Sequence, residues 1–166
     1  MKLETKVPIR YLPKSLSRKD RKTQVNMLKR SRNLYKKHKY YTRKAVPSFH
    51  SKPSGHIKNA TELYGVENIS PTPQLAKATG CSLKSLKKIV SKGEGAYFSS
   101  GSRPNQTAQS WGLARLASAI TGGKAAAVDY HILEEGCDPK KPALKLANRS
   151  KKMYKNGHAR TRRAVL

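Results

Sequence analysis

The sequence predicts a mainly α fold: a small helical core with a helix-turn-helix-like hairpin, flanked by extended basic N- and C-terminal arms. Two observations carry this. Apolar residues recur at helical spacing between cap and stop residues, most clearly from 72 to 136. Positive charge is concentrated at the two ends. Residues 1–52 carry 17 Lys and Arg against 2 acids, residues 53–138 carry 9 against 7, and residues 139–166 carry 10 against none. The middle can fold without strong self-repulsion, whereas both ends require a counter-charge. A chain of 166 residues, 36% hydrophobic, supports one domain with a modest core. The expected division is a basic N-terminal arm with one amphipathic helix (1–59), a compact helical core (60–136) and a basic C-terminal arm (137–166).

The elements follow in order. Pro8 and Pro13 punctuate the first 16 residues and predict an extended strap. Ser17-x-x-Asp20 is a capping-box-like pair that starts a helix over about 18–37. Val25, Leu28 and Tyr35 form its packing stripe, and Lys and Arg cover the rest. A short helix ending near Gly65 comes next. Thr72 is then an N-cap, Pro73 a first helical residue and Gly80 a left-handed stop, after which Ser82 caps a second helix that Gly93 and Gly95 end. Residues 96–104 read as a Gly/Ser loop. Thr107 caps a helix over 108–120 with Leu113, Leu116, Ala117 and Ile120 inward. Gly122-Gly123 stops it. Lys124 to Glu135 reads as one further helix closed by Gly136, and Leu144, Leu146, Ala147 and Met153 dock a short helix in the C-terminal arm.

Three features point towards anions. The hairpin around Gly80 resembles the DNA-binding helix-turn-helix of bacterial repressors, and its second helix exposes Lys84, Lys87 and Lys88. Lysines meet phosphates but do not read bases in pairs, so a plain structural hairpin, non-specific DNA contact and sequence-specific readout all remain open. The Gly/Ser loop can present successive backbone N–H groups to an anion, with Arg103 closing it, but it lacks the Gly-Lys-Ser/Thr ending of a phosphate loop. Residues 38–58 interleave aromatics with cations, a composition that stacks on bases and meets phosphates, or anchors a strap to a neighbouring protein. Expected anion or nucleic-acid contacts are Lys84, Lys87, Lys88, Arg103, Arg115, Lys124, Arg160, Arg162 and Arg163. Expected partner contacts in the N-terminal arm are Tyr11, Arg30, Tyr40, Tyr41, Arg43 and Phe49.

Other chemistries find less support. Three His between 38 and 56 have no Cys or His set at zinc spacing, so no metal and no cofactor is expected. Cys81 and Cys137 follow no secretory signal and are expected to be free thiols in a reducing compartment. No run of 18 apolar residues exists, so no membrane span is expected. Asp129 and His131 do not share a helix face, and the serines lack an evident His partner. An enzyme and a small-molecule substrate are not expected.

The run from Gln74 to Asp129 resembles an uncharacterised family of large double-stranded DNA viruses, including algal viruses, and of tailed phages. The residues that carry the resemblance are Gly95-Ala96-Tyr97, Gly101-Ser102-Arg103-Pro104, Trp111, Ala114-Arg115, Ser118, Gly122-Gly123-Lys124 and Asp129. The family implies a viral setting and assigns no catalytic residue. The expectation is a non-enzymatic structural protein, a minor capsid or internal virion component, present in the virion and inside the host cell before assembly. Its arms would bridge capsid proteins and non-specifically bound double-stranded DNA. The alternatives are a helix-turn-helix regulator and, more weakly, a nucleic-acid-acting enzyme using the Gly/Ser loop.

Overall fold

The computed structural model describes residues 4–155 and 161–166. It is mainly helical, and its backbone divides into two compact units. One comprises Met1–Lys52, Glu94–Trp111 and Arg160–Leu166; the other comprises Pro53–Gly93 and Gly112–Ala159. The division expected from the sequence has its boundaries at 59/60 and 136/137.

In the first unit the strap is short and buries Val7, Tyr11 and Leu12. Strand β1 (Lys6–Pro8) pairs antiparallel with β2 (Arg163–Val165), setting Val7 opposite Ala164, and a single 3-10 turn follows at Ile9–Tyr11. Val7, Tyr11, Leu12 and Leu28 form a small core with Val25, Trp111, Ala164 and Leu166 against it. The described ends are thus folded parts of this unit rather than extended arms, because their few apolar residues have somewhere to be buried. Gly101, at φ +119, lies so close to Leu28 and Tyr11 that a Cβ there would approach Leu28 to 2.8 Å.

Helix α1 (Arg18–Tyr35) begins as the sequence predicts, with the Ser17 hydroxyl accepting from the Asp20 N–H. The other half of the capping box is built differently. Asp20 turns to the Ser48 N–H (2.8 Å), and the Ser48 hydroxyl accepts from the Ser17 N–H (2.9 Å). Hydrogen bonding to Asp20 from the Ser48 side chain and from its N–H holds the carboxyl below its usual range. The irregular chain after α1 is stitched down by Asn105, whose side chain accepts from the Val46 N–H and donates to the Phe49 carbonyl. Leu16, Met27 and Val46 bury a second small cluster there, with Tyr41 and Phe49 against it.

The second unit has the larger core. Helices α2 (Gly55–Tyr64), α3 (Pro73–Thr79), α4 (Leu83–Ser99) and α5 (Ala108–Ile120) follow; Thr72 caps α3 and Gly65 and Gly80 end α2 and α3 in left-handed conformation as expected, while the Ser54 cap of α2 is a signal the sequence expectations did not include. Leu75, Leu86, Ile89, Leu116, Ile120, Ile132 and Leu133 are all buried. Full burial of one such side chain contributes about 1.5–3 kcal/mol relative to exposure.

Three expectations change. Helix α4 does not stop at Gly93 but runs on to Ser99, with the division between units falling inside it. Gly93 serves packing: a Cβ there would lie 2.6 Å from the Gly112 Cα of α5, so its missing side chain allows the two helices to touch. The single helix expected over 124–135 is two, α6 (Lys124–Val128) and α7 (Tyr130–Gly136). The break is Asp129, at φ -100 and ψ 20, whose carbonyl restarts the ladder by accepting from the Ile132 and Leu133 N–H groups. Finally, the C-terminal segment is helix α8 (Pro142–Tyr154), which buries Ala143, Leu144, Ala147 and Ser150 against this unit. Met153, expected to dock, is 65% exposed, because Leu144 and Ala147 face the core and Met153 does not share that face.

Candidate polyanion interface

The structure sorts the sequence-predicted residues into those left for a partner and those the fold uses. Lys84, Lys87 and Lys88 lie exposed along the first two turns of α4, and Lys124 is exposed at the start of α6. Arg103 is exposed in a loop shorter than expected. The Ser100 and Gly101 N–H groups of the expected anion loop both donate to the Ala96 carbonyl, the Ser100 carbonyl accepts from Arg32, and the Ser102 hydroxyl accepts from Arg43 and donates to the Arg103 carbonyl. Arg162 and Arg163 are exposed but belong to the β2 edge rather than a loose tail. Arg160 lies outside the described residues.

In the N-terminal segment two expected partner contacts are interior residues. Tyr11 is in the core. Arg43 is 6% exposed. Its guanidinium donates to the Ser31 hydroxyl (2.9 Å), the Tyr97 carbonyl (2.8 Å) and the Ser102 hydroxyl (2.8 Å), and stacks 3.8 Å from the Tyr97 ring centroid. No carboxylate joins it among the described residues. Neutral acceptors and a ring face satisfy it instead, and burial pulls its pKa down. Tyr41 and Phe49 are half-buried, and Arg30 lies 4.7 Å over the Tyr41 ring. Of this set Tyr40 remains a free aromatic, 70% exposed.

The sequence reading missed a cleft of about 510 Å³ in the first unit. Lys29, Arg32 and Lys36, at i, i+3 and i+7 on one face of α1, line it with Asn33 and Ser99. Its described lining contains no acid. Arg32 is fixed by two hydrogen bonds to the Ser100 carbonyl (3.1 and 2.8 Å). Burial, with a smaller contribution from the Arg163 charge, draws its pKa down. The spacing on α1 was visible in the sequence. The wall supplied by Ser99 was not, because it comes from a residue far along the chain.

Arg115 was expected to meet an anion, and it meets one of the protein's own. It donates twice to Asp129 (2.7 Å each), and Lys92 adds a second cation at 3.0 Å. Asp129 is fully buried. Burial opposes its ionisation, but the bonds and charges of Arg115 and Lys92 outweigh it and hold the pKa below the usual 3.8. Ser118, another residue of the resemblance, accepts from the Ala125 N–H and lies against Gly123. These motif residues make contacts inside the second unit.

Cys81 and Cys137 are a disulfide, not free thiols. They face each other across an isolated antiparallel bridge, flanked by hydrogen bonds from the Ser82 N–H to the Gly136 carbonyl (2.7 Å) and from the Asp138 N–H to the Gly80 carbonyl (2.8 Å). The pairing is tertiary, across 56 residues, and no spacing rule exposes it. It ties the α3–α4 turn to the end of α7. Gly136 also packs against Ser85 and Ser82, whose hydroxyls bond to each other at 2.9 Å. One side of the first turn of α4 is therefore covered, and the lysine side is open. No helix of the described residues is long and apolar enough to cross a membrane.

A family of unknown function (DUF5824) matches residues 8–142, and the chain belongs to it. No curated protein and no solved structure matches the chain.

Proposed function

We propose that this member of the family is a non-enzymatic structural protein of a double-stranded DNA virus, a minor capsid or internal virion component whose basic surface holds packaged DNA and capsid proteins together. One observation carries the reading. The sequence has 36 Lys and Arg, yet among the described residues there are two ion pairs, and both fall on Asp129. The rest of the positive surface is left for an external counter-charge, and DNA phosphates or acidic capsid faces supply one. The disulfide supports residence in a particle that leaves the reducing cell interior where it was assembled.

A sequence-specific regulator is less well supported. The exposed side chains at the start of α4 are lysines, and its serines are bonded to each other under Gly136. The enzyme reading has less support: the Ser100 and Gly101 N–H groups of the expected anion loop are taken by the Ala96 carbonyl, and the buried Asp129 carboxylate is paired with Arg115 and Lys92.

Two measurements test the proposal. Binding to several unrelated duplexes of equal length should agree within a few-fold; a preference of several kcal/mol for one sequence would favour a regulator. In disrupted particles of the encoding virus the protein should stay with the shell or the DNA. Its absence from purified particles would refute the virion role.

A further inference from the structure

We propose that the C-terminal half of α1, with the chain that returns over it, is a binding site for single-stranded nucleic acid, in which phosphates enter the Lys29/Arg32/Lys36 cleft and a base stacks on Tyr40. The inference rests on the nucleic-acid part of the function proposed above and goes beyond it, because duplex contact needs only the cations.

Lys37 and Lys39 both return their N–H groups to the Leu34 carbonyl, and His38 adopts φ 56, the left-handed conformation that reverses the chain. The reversal brings Tyr40 back beside Tyr35, with ring centroids 6.2 Å apart and the planes at 62°. Phe98, near the end of α4, also packs against Tyr40, with ring centroids 5.1 Å apart. Phe98 is in turn held edge-on by the fully buried Tyr97 (5.1 Å). Three aromatic rings thus run outward from the interior of this unit to the surface.

The outermost ring is the unexpected one. Tyr40 is 70% exposed and Tyr35 is 37% exposed, although Tyr35 falls on the stripe that the sequence predicts for packing. An aromatic ring is normally placed to bury its faces. Here a ring is positioned by its neighbours yet remains open to solvent, so a ligand can stack on it without first ordering it.

Tyr35 joins this platform to the cleft, because it also lines the cavity beside Lys29, Arg32 and Lys36. A volume of about 510 Å³ lies within the range of small-ligand pockets and holds a sugar-phosphate unit. Cations next to an exposed aromatic ring are the combination that single-stranded nucleic acids use: phosphates meet the charges and unpaired bases stack on the ring. A duplex keeps its base faces inside its own stack and leaves Tyr40 unused. An acidic peptide meets the cations and has no flat base to place on the ring.

The test compares a labelled oligothymidine of about 15 nucleotides with a mixed-sequence duplex of the same length, using the full chain at low salt. Tyr40→Ala should weaken oligothymidine binding about tenfold, within the range measured for loss of one stacked base, and leave duplex affinity within about twofold. Tyr40→Phe keeps the ring and should keep the affinity. Lys29→Ala with Lys36→Ala should weaken both ligands and flatten both salt dependences. All these side chains are exposed, so the thermal transitions should match the parent protein. Four results would overturn the inference: no effect of Tyr40→Ala, an equal loss on both ligands, a duplex that binds while oligothymidine does not, or polyglutamate that binds as well as oligothymidine. Failure to bind either nucleic acid would also remove the DNA role proposed above, whereas duplex binding alone would leave that role standing.

Discussion

The two compact units solve one electrostatic problem in opposite ways. The first carries 21 Lys and Arg against 3 acids, and the second 15 against 6. In the second unit a buried carboxylate, Asp129, gathers two cations, and a disulfide closes a 56-residue loop. In the first unit a buried cation, Arg43, is satisfied by two hydroxyls, a carbonyl and a ring face. The difference teaches how a chain this basic can fold at all. Where acids are scarce, interior positive charge is met by neutral acceptors, and surface charge is left without an internal partner.

The largest effect expected from breaking this contrast is in the second unit. Reducing the disulfide, or making Cys81→Ser, should destabilise it by about 4 kcal/mol on the loop-entropy account, read as a fall in the urea midpoint. An unmoved midpoint would mean that the bridge constrains nothing. Asp129→Asn should cost about 3 kcal/mol, the low end for breaking a buried pair, since Arg115 and Lys92 keep some contact with water. It should also change the acid response. The folded Asp129 titrates below the usual 3.8, so its stabilisation is complete above that value and is lost as pH falls below it. Urea titrations at descending pH should show a shallower acid loss in Asp129→Asn than in the parent.

Arg43→Met is expected to cost less, about 2 kcal/mol, because it strands neutral hydrogen-bond partners rather than a bare charge. A cost above that of Asp129→Asn would reverse the comparison. Changing Lys84, Lys87 and Lys88 together to Ala should alter stability least, by about 0.5 kcal/mol or less. It should reduce the salt slope of DNA binding by about one unit for each phosphate that is no longer neutralised. An unchanged slope would remove α4 from the DNA-binding surface.

Local signals were legible in the sequence where one residue type has one mechanical role. Ser17 and Thr72 cap helices, Pro73 opens one, Gly65 and Gly80 close two, and α5 occupies the expected 108–120. The same residue type misled where its role was tertiary. Gly93 read as a stop, but it provides close packing against Gly112. Asp129 read as mid-helix, but its ion pairs coincide with a break. The exposed lysines of α4 were identifiable from helical spacing. The withdrawal of Tyr11, Arg43 and Arg115 into the fold was not, since each is engaged by partners distant in sequence. The disulfide and the cleft were hidden for the same reason.

Most of the positive surface of the described residues has no ion-pair partner there, and the proposal is that a polyanion supplies one. The direct test is the affinity for a mixed-sequence duplex measured across rising salt. The account predicts a straight decline of log affinity against log salt with a slope of about −5 or steeper, the signature of six or so phosphates neutralised together. A flat line, or no binding even at low salt, would contradict it.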